Sequence, residues 1–519
     1  MCGSTVCKAD RIDLLDAYAL IVNYSPEWAS QRAQYVAKLQ AIPLARSQLL
    51  PQIGAEIGWS RVDYSGRNVD FNLNIDRINA CTQGITLNGP SSLNIGTALD
   101  RLECLFTSDT EPFTSTTYGV RLSQPLFRMD RWHQLRRSKS AVNRASAELH
   151  QAKQDLILST ATTYFNVLNA KEALIVSENE QNALEYSLRL IEKRYERGLA
   201  KSAQVYETQA QHDLSLASLL TAENIAADTR SALALMTRTD GVDTTDLPRN
   251  IPLKLPQPED PKDWVLVAQK NSPELAIARH SATMAYDNYR AQKAARIPAI
   301  DLFVNVNRTS AGGATPALDE GQNTNTTIGV SMSVPIYTGG GIKANTKQAL
   351  YQRQAARWTV NKIEHELVQQ VQAQYRKVRL AVSQGQAHAL AVRSTQQAYE
   401  AIQRGYKAGT RTLNDLLQAQ RSVYLAQRDA ASARYNYVLE TLRLKRIVGI
   451  LDESDLRTLN QWLPPLSDEE RIDLANLPNQ DDTLPPTTMT IPSGQVVKSS
   501  RSFLELFRLW INSEAEPSP

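Results

Sequence analysis

Six histidines, four cysteines and one glycine-rich loop are the residues of this 519-residue chain whose types could carry chemistry. The histidines, His133, His150, His212, His280, His365 and His388, are scattered. None falls in the HExxH pattern that would set two zinc ligands on one helix face. Cys2, Cys7, Cys81 and Cys104 form no CxxC and no cysteine–histidine set, which argues against a zinc site. No GxSxG elbow offers a nucleophilic serine. Gly339-Gly340-Gly341-Ile342-Lys343 lacks the glycine-to-lysine spacing of a phosphate loop, so its glycines read as a flexible bend. No catalytic set, cofactor or metal is expected, and each histidine reads as an exposed helix residue.

Composition narrows the class further. Lys and Arg number 57 against 54 Asp and Glu, a net charge of +3, which gives no basic excess for nucleic acid. No run of 18 apolar residues exists, so no transmembrane helix is expected. The opening MCGSTVCKADRIDLL lacks a charged region followed by an apolar one, so no secretory signal is expected in it, and no lipobox precedes Cys2.

What the chain does contain is period-two alternation. Thr326 to Tyr337 reads TTIGVSMSVPIY, with Ile328, Val330, Met332, Val334 and Ile336 on one face and Thr327, Gly329, Ser331 and Ser333 on the other. Thr116 to Phe127, TTYGVRLSQPLF, repeats it: Gly119 matches Gly329, Ser123 matches Ser333, and Pro125 matches Pro335, each at a spacing of 329 − 119 = 210. Two further two-faced strands follow Pro51 (Ile53, Ala55, Ile57, Trp59) and Pro298 (Ile300, Leu302, Val304, Val306). Pro51 and Pro298 lie 247 apart, as do the helix-start triplets at Ser25-Pro26-Glu27 and Ser272-Pro273-Glu274. The chain is therefore an internal duplication. The drop from 247 to 210 assigns 37 extra residues to the first half, in a loop within 65–115 that contains Cys81 and Cys104. About ten such residues cross a bilayer as a tilted barrel strand, and four strands cannot close a barrel on their own.

Between the strands the pattern is helical. Arg131 to Arg197 contains no proline or glycine and is rich in strong helix formers. Helix is expected there, then from Ser202 to Met236, from Asp263 to Arg296, from Lys343 to Arg404 with a break at Gly405 to Gly409, and from Leu413 to Val448. A helix is also expected over Asp10 to Ala41, interrupted at Ser25. Tyr164 matches Tyr375 and Gly198 matches Gly409, both 211 apart, so the helices have matched lengths. From Pro464 the chain is proline-rich and acidic and reads as mostly disordered, with Phe503 to Ile511 as a short amphipathic candidate.

These residues carry a family resemblance. Ser333-Val334-Pro335-Ile336-Tyr337-Thr338-Gly339-Gly340 resembles the strand-to-helix signature of the TolC-like outer-membrane efflux and type I secretion family. Gly405-Tyr406 with Gly409-Thr410-Arg411-Thr412 resembles its helix-tip turn. Ala161 to Leu168 and Ala433 to Tyr437 resemble its long helices. The resemblance covers roughly residues 10 to 460.

It implies a mostly α fold with a membrane β-barrel. Each protomer would give four strands to the twelve-stranded barrel of a homotrimer, above a long coiled-coil tunnel with a small mixed equatorial domain. The division expected is 1–49 for N-terminal helices, 50–127 for the first strand pair and 128–246 for the first tunnel helices. The second half follows with 247–297 for linker and helix, 298–337 for the second strand pair and 338–450 for its tunnel helices. An equatorial segment and tail take 451–519. The implied function is a passive outer-membrane duct for small-molecule efflux or type I protein secretion. It would dock a periplasmic membrane-fusion adaptor and an inner-membrane transporter, ABC-type or proton-driven.

The resemblance also implies roles for residues at the helix tips. Gly198, Leu199, Gly409 and Thr410 would lie at the periplasmic mouth and meet the adaptor. Of the family's two acidic rings, Asp415 matches the first, while Gln418 occupies the second, with Glu207 at its pseudo-equivalent. Converging carboxylates raise each other's pKa and focus the field. Tyr406 and Arg411 match the residues that hold the mouth shut. Their acidic partner falls at Gln204, which leaves at most a hydrogen bond. In an oxidising compartment Cys81 and Cys104 are expected to pair; the alternative is two free thiols. The rival readings are a soluble periplasmic coiled-coil adaptor, which would not need lipid-compatible strands, and an enzyme, for which no residue constellation speaks.

Overall fold

A computed structural model of the chain describes residues 11–62, 113–239, 243–245, 248, 251–312 and 321–464. All of them belong to the first of two compact units, Met1–Asn476 and Leu477–Pro519. Cys81, Cys104, the loop around them and the acidic tail lie outside the described residues. The order is β1 (Arg11–Ile12), α1 (Leu14–Tyr24), α2 (Pro26–Leu39), α3 (Ala41–Ser47), β2 (Gln52–Val62), β3 (Phe113–Phe127), α4 (Met129–Glu196) and α5 (Ser202–Thr237). It continues with β4 (Asp243–Thr244), α6 (Pro261–Asn271), α7 (Pro273–Ala294), β5 (Ala299–Gly312), β6 (Gly321–Ser333), α8 (Gly341–Lys407), α9 (Leu413–Val448) and α10 (Glu453–Asn460).

The four alternating stretches form an antiparallel sheet in the order β2-β3-β5-β6. Register places Ile53, Leu122, Val304 and Ile328 in one row across it, and Gly54, Arg121, Asn305 and Thr327 in the neighbouring row on the opposite face. The apolar face is uncovered, with Ile328 70% and Met332 67% exposed. Two glycines on the polar face are there because a cross-strand side chain lies over each. A Cβ at Gly119 would stand 2.8 Å from Asn307 Oδ1, and one at Gly329 would stand 2.6 Å from the Phe303 ring. β3 runs through Pro125 to Phe127 with a register shift, but β6 stops at Ser333, short of the Tyr337 expected. Pro335 has no N–H to give a partner strand, and no strand lies beyond β6 among the described residues to hold it extended.

α4 has 68 residues, about 100 Å at 1.5 Å per residue. Its counterpart α8 has 67 and does not break at Gly405 as expected. There a Cβ would meet Arg411 Cγ at 2.8 Å and Thr410 Oγ1 at 3.2 Å, so the glycine admits the returning chain rather than ending the helix. The helix expected over Asp263 to Arg296 is two helices parted at Ser272, where proline follows at the first helical position. The N-terminal helix starts at Leu14 because Asp13 caps it, with Asp16 N–H donating to Asp13 Oδ1 at 2.8 Å. Ahead of it Arg11–Ile12 pairs in parallel with Asp243–Thr244, a two-residue bridge too short to show as alternation.

The core lies midway along the long helices. Ile12, Leu14, Leu20, Ile21, Tyr164, Phe165 and Leu456 are fully buried there. The first and last described segments meet: Asn460 donates to Asp13 Oδ2 at 3.0 Å and accepts from the Leu14 amide at 3.1 Å. Arg434 Nη2 donates to both carboxylate oxygens of Glu172, at 2.6 and 2.8 Å, and Arg446 Nε donates to Asp155 Oδ1 at 2.7 Å. α9 ends at Gly449 (φ 85°), and α5 ends at Arg238 (φ 55°) in the same left-handed conformation, 449 − 238 = 211 residues earlier.

Candidate channel mouth at the helix tips

The two helix-tip turns are built alike. At the first, the Gly198 amide donates to Tyr195 O at 2.8 Å and Leu199 to Arg194 O at 2.7 Å. At the second, Gly409 donates to Tyr406 O at 3.1 Å and Thr410 to Gly405 O at 2.9 Å. Each donor and each acceptor sits 211 residues after its counterpart. Gly198 (φ 73°) and Gly409 (φ 76°) supply the left-handed residue that closes such an end. Leu184 and Ile191 of α4 pack with Leu413 and Leu417 of α9, and Val205, Tyr406 and Leu416 cover them. The tips of the two halves are thus one apolar unit, outside which Leu199 stands 75% exposed.

Around that unit the polar residues sort by helix start. Thr412 and Asp415 form a reciprocal cap on α9: the Thr412 amide donates to Asp415 Oδ2 at 3.0 Å, and the Asp415 amide to Thr412 Oγ1 at 3.2 Å. The Thr412 amide, then its hydroxyl, hold the Asp415 carboxyl below the ordinary carboxylate range. That direction within one protomer is opposite to the one expected of converging acids. Gln204 takes the same place on α5, accepting from the Lys201 amide at 3.1 Å. It is therefore engaged in a cap and has no bond to Tyr406 or Arg411 among the described residues. Tyr406 accepts instead from Arg194 Nη1 at 3.3 Å, a partner that sequence alone did not single out, since Arg194 lies in an ordinary charged helix face. Arg411, Glu207 and Gln418 are exposed. With an offset of 211, Asp415 pairs with Gln204 and Gln418 with Glu207, so each half carries one acid, on alternate turns.

Residues 18–237 and 264–450 match the family described as outer membrane efflux protein. The chain belongs to that family. The efflux protein is 28% identical to the outer membrane protein TolC of Escherichia coli over 460 residues, covering 87% of this chain and 85% of the relative. It is 23% identical to the alkaline protease secretion protein AprF of Pseudomonas aeruginosa, covering 86% of each. Its fold matches the crystal structure of the outer membrane protein VceC of Vibrio cholerae with a TM-score of 0.66 at 16% identity, over 84% of this chain and 96% of that one. The efflux protein is an outer-membrane channel protein, and the soluble-adaptor reading falls away.

Proposed function

We propose that three copies of the chain close a twelve-stranded barrel and that their paired helices continue it as a periplasmic tunnel, forming a passive duct. The observation that carries this is the sheet itself. One of its faces is apolar and exposed, and neither β2 nor β6 has a second neighbour among the described residues. An open sheet edge in hydrocarbon leaves backbone groups without partners, so further strands must come from other chains. The smallest closed barrels have eight strands, and the family resemblance favours three copies.

In this reading the helix tips form the inner mouth, with Asp415 as its main acidic ring and Glu207 one turn away. The exposed turns at Gly198–Leu199 and Gly409–Thr410 meet a periplasmic adaptor, which links the duct to an inner-membrane transporter. The cargo is a small molecule or a secreted protein. Cys81 and Cys104 form a disulfide in the outer loop, worth about 3 kcal/mol for a closed loop of this size; mass spectrometry of the unreduced protein would refute it by finding Cys81 free. The duct is tested by purification in detergent and recording in planar bilayers. A heat-resistant trimer with discrete conductance steps is expected, and a monomer that stays soluble without detergent overturns the reading.

A further inference from the structure

α3, α4, α7 and α8 all meet the sheet at one end, where β2 begins, β3 ends, β5 begins and β6 ends. Charge is concentrated at that end. Residues 128–139 hold five basic side chains against Asp130 alone, residues 286–297 hold three against Asp287 alone, and residues 334–347 hold two and no acid. The chain as a whole is only +3. Only part of this charge is neutralised locally. Arg128 pairs with Asp301 at 2.6 Å, and Asp287 is buried. Arg46, Arg136, Lys293, Arg296, Lys343 and Lys347 are exposed and make no side-chain ion pair among the described residues.

The company they keep points to what they meet. Ile336 is 96% and Tyr337 87% exposed, and Trp132 is exposed on the first turn of α4. Lys343, Lys347 and Tyr351 follow at four-residue intervals, so they share one face of α8. Exposed aromatic and apolar residues interleaved with long basic side chains match the layer between hydrocarbon and headgroups, where rings sit at headgroup level and lysine stems lie along apolar surface. Water alone gives Ile336 and Tyr337 no reason to stand out, and a cationic collar at this depth attracts phosphate-bearing lipid.

We infer that this collar is a binding surface for anionic phospholipid headgroups in the leaflet at the helical end of the sheet. The inference rests on the placement of the sheet in the membrane and is independent of how many copies close it. The test uses the full chain, incubated in detergent with equal amounts of phosphatidylglycerol and phosphatidylcholine, re-isolated, and its retained lipid measured by mass spectrometry. Phosphatidylglycerol should be enriched at about 0.1 M salt and lose its advantage at about 1 M, where the screening length falls from about 10 to about 3 Å. Replacing Lys293, Arg296, Lys343 and Lys347 together by Gln should cut the enrichment at least about fivefold, the effect of one charge at the headgroup plane. Replacing the three lysines by Arg should preserve it. Enrichment in the unaltered protein that ignores salt, a Gln variant that retains it, or an Arg variant that loses it would each overturn the inference. A protein that conducts in neutral lipid but shows no enrichment overturns the collar and leaves the duct standing.

Discussion

The hydroxyl of Tyr375 donates to the backbone carbonyl of Glu259, just as the hydroxyl of Tyr164 donates to that of Ile12 at 3.2 Å. The donors are 375 − 164 = 211 residues apart and the acceptors 259 − 12 = 247, the two offsets that the sequence shows for helices and for N-terminal segments. The duplication thus extends to individual bonds between a long helix and the segment that precedes its own strand pair. Tyr164 is fully buried and also meets Thr245 Oγ1 at 2.8 Å, whereas the Tyr375 bond is only partly buried. Tyr164→Phe should therefore cost about 1–3 kcal/mol, the cost of stranding buried partners, and Tyr375→Phe about 1 kcal/mol. Thermal unfolding in detergent compares them, and equal losses would contradict the difference in enclosure.

Gly329 admits the ring of Phe303 across the β5–β6 pair. Gly329→Ala should reduce the yield of assembled protein on unheated gels. Adding Phe303→Leu should restore much of it by removing the ring edge. A double variant no better than the single one would mean that the contact is not the reason for the glycine.

The sheet has an apolar face and a polar face, and one residue step changes between them. Met332→Arg puts a charge on the apolar face and should cost roughly 2–4 kcal/mol if it lies near the midplane. Ser331→Arg falls in the row of Asp301 and should be milder. Insertion into liposomes, scored by protease protection, ranks the two. The reverse order would invert the assignment of faces.

At the candidate mouth, the direction of the Asp415 shift sets its expected pH behaviour. Its carboxyl is held low by the Thr412 amide, so its charge and its cap are complete above the ordinary carboxylate value near 4 and are lost only as pH falls through the lower folded value. Cation preference should then stay flat from about pH 7 to about pH 5. Asp415→Asn should weaken both that preference and block by multivalent cations, and Arg411→Ser should raise the frequency of open events. In single-channel records, unchanged selectivity in Asp415→Asn would remove Asp415 from the constriction.

The strands and long helices were legible because each carries an unmistakable period and a duplicate elsewhere to check it against. Their ends were less so. Pro125 and Pro335 stand in matched sequence, yet β3 passes its proline and β6 stops before its own, because β5 continues beside Pro125 and Phe127, whereas β5 begins at Ala299, opposite Ser333. Gly405 reads as a helix stop, and only the position of Arg411 shows that it serves close approach. At the candidate mouth, Asp415 and Tyr406 were found by motif. The Arg194 bond was not, since nothing in a run of charged helix residues marks which one reaches across to the other half.

Arg238 and Gly449 hold the same left-handed conformation at the ends of α5 and α9, but their freedom to diverge is unequal. Arg238 is exposed, and its side chain meets only the conformational penalty of about 1–2 kcal/mol. A side chain at 449 would also meet Asn271 O at 2.3 Å and Pro273 Cδ at 2.9 Å. The same backbone turn thus accepts a long side chain in one half and excludes any side chain in the other, where neighbouring chain has been packed against it.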